Sequence, residues 1–307
     1  MTSYFVSRFG YYFSIFFGII FFTFVLFHII PSDPARTILG PNAGQDQVEQ
    51  LRAKLGLNRP LHRQFTRYLH QVATLNFGHS FVDERNVFHE VRKRVGITLS
   101  LIAVSIFILF SYLLVVIVSL LYSRLRRCLD LIEFMLSSFP IFFSGIIVAL
   151  FTINFYPITH FSGNLGSWGD IVYLIPPALV LAFYPMAIIA RIIKDEMTSI
   201  LQSPYVTAEK SWGFSDFYIL FRFALKNVLI PILSALSNIL PMLLTGAFII
   251  EIIFSIPGVG GILIKSILER DFPMLECTVI VNGAFFVIIN LGFEFLYTAV
   301  DPRIIKR

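Results

Sequence analysis

From Phe9 to Ile30 the chain carries no Asp, Glu, Lys or Arg. That run exceeds the ~18 apolar residues that carry a helix across a bilayer core. Five further runs without those residue types follow, within Val95–Tyr122, Phe134–Tyr156, Ile171–Ala190, Val228–Ile250 and Cys277–Phe293. They predict an all-α, polytopic membrane protein with six transmembrane helices in a single domain over residues 1–307. Composition agrees: hydrophobic residues make up 56% and charged residues 14%, against roughly 45–50% and about 25% in ordinary globular chains. In that setting the net charge of +5 points away from nucleic acid, towards topology and anionic lipid. The first run is too long for a signal-peptide core of about 7–15 residues and has no small-x-small cleavage site, so it reads as a retained span.

Residues 31–94 form a long polar excursion. Val48, Leu51 and Leu55 recur at helical spacing and stop at Gly56, a C-cap signal. A second amphipathic helix is expected to start from Asn58, with Pro60 in its first turn. Leu61, Phe65, Tyr68, Leu69 and Val72 would line one face, with Arg63 and Arg67 on the other. This pair either packs on the span ends or lies at the interface against lipid or an external partner. Span 3 contains Ser138-Phe139-Pro140, which predicts a kink that faces either a pathway or a neighbouring helix. Ser162-Gly163-Asn164 and Gly166 mark the connection to span 4. The two cysteines, Cys128 and Cys277, have no metal spacing, and the topology keeps them apart.

Six spans put both termini on one side of the membrane. Arg8, Arg124, Arg126, Arg127, Arg191, Lys194, Lys210, Arg222, Lys226, Arg303, Lys306 and Arg307 mark that side as cytoplasmic. On it lies residues 191–227, a polar island with helix-forming composition. Within the island, Pro204 to Phe214 reads as a helix closed by Gly213, with small Ala208 and Ser211 sharing one face. A reversal of direction needs no such element. The island therefore reads as a docking surface for a soluble partner.

Ionisable groups are expected only at the span ends, which argues against a secondary transporter or channel working without ATPases. Nor does the chain carry a motor. Gly258-Val259-Gly260-Gly261-Ile262-Leu263-Ile264-Lys265-Ser266 lacks the glycine that a phosphate loop places before Lys-Ser, because Ile264 stands there. The stretch reads either as a flexible plug or as an irregular loop; Glu251, Pro257, Gly258 and Gly260 form a candidate outer gate. His89-Glu90 is not followed by the second histidine of a zinc-protease motif, since Lys93 takes its place. No catalytic constellation and no metal site is legible.

Several ordered runs carry a family resemblance. They are Pro31-Ser32-Asp33-Pro34-Ala35, Leu55-Gly56-Leu57-Asn58-Arg59-Pro60-Leu61, Asn76-Phe77-Gly78-His79-Ser80, Glu251 to Gly260, Arg270-Asp271-Phe272-Pro273 and Asp301-Pro302-Arg303. With the 191–227 loop, they make the chain resemble B-type inner-membrane permeases of bacterial ATP-binding-cassette importers for dipeptides and oligopeptides and, in some relatives, nickel. The resemblance implies the type I importer permease fold. Implied partners are a second homologous permease, two cytoplasmic ATPases that hold ATP and Mg, and an external substrate-binding protein. It also implies that the 191–227 loop carries a coupling helix, with Tyr205 and Gly213 matching the pattern and Ala208, Glu209 and Ser211 in the contact stretch. Glu209-Lys210-Ser211-Trp212 depart from the usual small and basic residues, and Trp212 calls for a partner groove with room for an indole.

Overall fold

In the computed structural model, residues 2–29, 34–40, 43–155 and 168–300 are described. Among them thirteen α-helices follow one another: α1 (Thr2–Ile29), α2 (Pro34–Leu39), α3 (Gln45–Leu55), α4 (Leu61–Thr74), α5 (Val87–Ser119), α6 (Ser123–Ser138), α7 (Ile141–Phe155), α8 (Trp168–Leu201), α9 (Pro204–Ser211), α10 (Asp216–Ile219), α11 (Leu225–Ile253), α12 (Val259–Glu269) and α13 (Phe272–Val300). A π-helical turn, Leu220–Ala224, joins α10 to α11. The runs at Pro31–Asp33, at Ser162-Gly163-Asn164 and Gly166, and at Asp301-Pro302-Arg303 lie outside the described residues.

Among the described residues, five helical stretches are long and apolar enough to cross a membrane: Val6–Phe27, Val87–Ser119, Ile171–Leu201, Asn227–Ile253 and Phe272–Leu296. A sixth, α6 with α7, is bent by 106°. Here the structure corrects the expected kink. Phe139 is extended (φ −98°, ψ 136°), so the helix stops at Ser138 and restarts after Pro140. Proline removes an amide donor and disfavours the helical conformation of the residue before it. The α6 segment also begins at Ser123, so Arg124, Arg126 and Arg127 belong to a helix and not to a loop.

The chain packs as two units, Met1–Ile97 with Pro257–Leu291, and Thr98–Ile256 with Gly292–Arg307. In the first, α1 receives the apolar face of α4: Phe65 meets Phe17, Phe21 and Phe24 edge-on at centroid distances of 6.3, 5.9 and 5.0 Å. The predicted end of α3 at Gly56 is present, with φ +74°. The start of α4 is two residues later than expected. Pro60 is its N-cap, and the Gln64 side chain donates back to the carbonyls of Leu57 and Arg59.

In the second unit α8 is central, packed by α6, α7 and α11. It runs without interruption through Pro176, Pro177 and Pro185. Close packing there depends on missing side chains. A Cβ at Gly246 of α11 would meet Leu181 Cδ1 of α8 at 3.0 Å, and one at Gly145 of α7 would meet Ile253 Cδ1 at 3.0 Å. Small residues at helix contacts let backbones approach within lipid, where no hydrophobic force drives them together.

Ionisable groups near the span ends are buried and paired, which the sequence does not show. Lys194 (4% exposed) donates to Asp130 and Glu133 at 2.6 and 2.7 Å, and Tyr112 donates to Glu133. Glu251 is fully buried near the end of α11, where Thr98 Oγ1 donates to it. These carboxylates and the lysine are tolerated because each has partners. Their presence removes the argument from missing charge against a secondary transporter.

Candidate functional site

The island differs from a loop from its first residue. Residues 191–201 continue α8, and the short α9 follows after Gln202 and Ser203. Pro204 occupies the first turn of α9, where a missing N–H costs nothing. At the other end Gly213 takes φ +88°. Its amide donates to Lys210 O and that of Phe214 to Glu209 O, the paired bonds of a Schellman close. Ser215 then caps α10, its hydroxyl accepting from the Tyr218 amide at 3.3 Å.

What this geometry presents is a face with little behind it. Val206 is the one buried residue of α9, and Tyr205 Oη accepts a 3.2 Å bond from Asn227 Nδ2 at the start of α11. Ala208 and Ser211 are exposed, and the Ser211 hydroxyl donates to Ala208 O. Trp212 is 74% exposed and Phe217 58% exposed. Phe214 stacks on Tyr218 at 5.1 Å, both partly open. The expected contact residues are thus brought together on one short helix and its capping turn, with Glu209 half-buried beside them. A Cβ at Gly213 would meet nothing within 4 Å, so only its backbone conformation is demanding. The aromatic residues after Gly213 were not singled out from the sequence; their signal is Phe214, Phe217, Tyr218 and Phe221 in a polar island.

The proposed gate residues divide between the units. Glu251 belongs to the second, and Pro257, Gly258 and Gly260 to the first. Ser255, in a left-handed conformation (φ +54°), closes α11, and Gly258 precedes α12. The glycine-rich stretch is therefore not an irregular loop but the cap and first turn of an 11-residue helix. Glycine costs about 1 kcal/mol against alanine inside a helix, which made the run read as loop. Gly260 is buried, and Ile262 and Ser266 bury one turn apart.

Two of the quoted runs, far apart in sequence, meet in the first unit. Ser80 donates to the Asp271 carboxylate, and the Phe81 amide adds a 3.2 Å bond to its other oxygen. Asp271 is 3% exposed, so this clamp ties the turn at residues 76–86 to the start of α13. In the second unit, a cavity of about 550 Å³ lies beside the α6–α7 break. Ser138, Ser144, Tyr184 and Thr245 line it with hydroxyls, and no lining residue is charged.

A family model described as binding-protein-dependent transport system inner membrane component matches residues 117–306, and its N-terminal companion matches residues 1–102. The chain belongs to this family. Among its relatives is a dipeptide transport system permease protein, DppB, of Lactococcus lactis, 32% identical with 99% of each chain covered. A putative peptide transport system permease protein of Brucella abortus is 31% identical, with 92% of each covered. The glutathione transport system permease protein GsiC of Shigella flexneri is 30% identical at the same coverage. The chain is thus a multi-pass, inner-membrane permease of a binding-protein-dependent importer, with the type I permease fold. A secondary transporter working alone is set aside on this ground.

Proposed function

We propose that the chain is one of two homologous permease subunits of an ATP-driven importer of dipeptides or oligopeptides. The second permease, two cytoplasmic ATPases and an external binding protein complete the assembly, and ATP and Mg reside on the ATPases. Both termini and the α9–α10 face lie in the cytoplasm of a bacterium, as the asymmetry of basic residues supports. The chain itself carries out no catalysis. The substrate class rests on similarity to permeases named for peptides, dipeptides and glutathione.

One observation carries the mechanism: an eight-residue helix with a single buried residue, followed by an indole that is 74% exposed. Interface hot spots are enriched in tryptophan and tyrosine. ATP binding and hydrolysis in the partners move α9. The direct continuity of α10, the π turn and α11 carries that movement towards the span. The uncharged 550 Å³ cavity at the α6–α7 break has room for part of a passing peptide. The test is reconstitution of the four-subunit assembly in vesicles with the binding protein. It should accumulate labelled dipeptide only with ATP, while the purified chain alone neither binds nor hydrolyses ATP. ATP-independent accumulation by the chain alone would overturn the reading.

A further inference from the structure

A second cavity, of about 330 Å³, lies wholly within the first unit, between α4, the 77–81 turn and the start of α13. Its lining is charged in an ordered way. Arg59, just before α4, and Arg63 and Arg67 within it recur every four residues and are exposed. Two of them converge: a Cβ at Gly56 would meet Arg67 Nη1 at 3.0 Å and Arg59 Nε at 3.8 Å. Tyr68 and Glu276 stand in the same wall, more deeply placed. Tyr68 is 4% exposed, and its Oη has no hydrogen-bond partner among the described residues. A buried hydroxyl without a partner is costly and calls for explanation. Both line the same cavity, and burial pushes the Tyr68 phenol above its usual range. Phe24, Phe77 and Phe272 supply apolar walls.

A basic mouth over a floor that holds a carboxylate and an acceptor hydroxyl is complementary to a zwitterion. We propose that this cavity binds a short peptide by its two ends, with the terminal carboxylate among Arg59, Arg63 and Arg67 and the terminal ammonium at Glu276 and Tyr68 Oη. The guanidinium groups match a carboxylate in geometry as well as charge. A volume of about 330 Å³ is at the small end for ligand pockets of ~300–1,000 Å³, which suits a di- or tripeptide and not a folded protein segment. The aromatic walls take one apolar side chain. This inference rests on the peptide-importer reading and adds a binding station on the permease itself.

The test uses the full chain in lipid nanodiscs and three probes: Phe-Ala, N-acetyl-Phe-Ala and Phe-Ala-amide. Titration should show saturable binding of Phe-Ala. Each capped form should bind about tenfold to a hundredfold more weakly, as expected when one charged hydrogen-bonded contact is removed. Tyr68→Phe deletes a hydroxyl that has no hydrogen-bond partner among the described residues, so it should leave thermal stability intact. It and Glu276→Gln should weaken Phe-Ala binding without further weakening the acetylated probe. Arg63→Gln should weaken Phe-Ala but not the amide, and Arg63→Lys should restore part of the loss. Equal binding of all three probes would overturn the proposal, as would no saturable binding to the folded chain. Arg63→Gln lowering the affinity of the binding protein while leaving Phe-Ala affinity unchanged would also overturn it, assigning the rim to protein docking. The two readings fail separately. If the assembly imports dipeptide normally while the chain binds none, this site falls and the importer stands. If an assembly with active ATPases accumulates no peptide, the importer reading falls.

Discussion

Lys194 and Lys210 stand close in sequence and in opposite circumstances. Lys194 is 4% exposed and held between Asp130 and Glu133, with Tyr112 behind. Lys210 reaches Asp216 at 2.9 Å, with side chains 50% and 68% exposed. The first pair is sealed inside the fold, where desolvation must be offset by several bonds at once. The second lies in water and is screened. The same type of contact is therefore structural in α8 and nearly neutral around α9. What distinguishes the α9 region is how much apolar surface is left uncovered once its own contacts are made. That difference assigns stability to one region and partner binding to the other.

The largest effect should come from breaking the sealed side alone. Lys194→Met leaves two carboxylates facing one another, one of them buried, and should cost about 3–5 kcal/mol of stability, read by thermal unfolding of the purified chain. Adding Glu133→Gln should recover a large part of that loss. If the single variant unfolds like the parent, the network is not structural. Next in size, Trp212→Ala should weaken ATPase binding by about 2 kcal/mol or more. Its effect on the chain's own stability should stay within about 0.5 kcal/mol. Equal losses in both would erase the contrast between the regions.

Most of the fold was legible because a membrane demands long uncharged helices, and those runs are hard to mistake. Local signals were legible too, as at Gly56 and Gly213, where the chain needs a positive φ. Long-range satisfaction was not. Nothing in the sequence near Lys194 or Glu133 says that they pair across 61 residues, so Lys194 read only as one of the basic residues of the cytoplasmic side. Pro140 announced a disturbance but not its size, because a kink and a 106° break share the same local cause. Gly260 misled for a related reason: its small size serves burial at a helix start, and propensity counts it as loop.

Smaller effects sharpen the same contrast. Gly213→Ala should cost about 1–2 kcal/mol, since an L-residue resists the left-handed conformation. Gly213→Trp should add impaired transport while the spans stay inserted. Normal uptake with a normal ATPase complement in Gly213→Trp would reduce α9 to a connector. Smallest of all, Lys210→Ala should change stability by under about 1 kcal/mol, and by less in high salt. A larger, salt-independent loss in denaturation would show that this pair is not a surface contact.

The central claim is that the α9–α10 face is where the ATPase docks. It is tested most directly by Ser211→Cys in a background lacking Cys128 and Cys277, with a thiol-linked photo-crosslinker, in membranes that hold the whole assembly. Ser211 is exposed beside Trp212, so the label has room without displacing the fold. The account predicts an adduct with the ATPase subunit that disappears when the ATPases are omitted, and no labelling of this cysteine by a membrane-impermeant reagent added outside intact cells. Labelling from outside, or irradiation that yields no ATPase adduct, would contradict it.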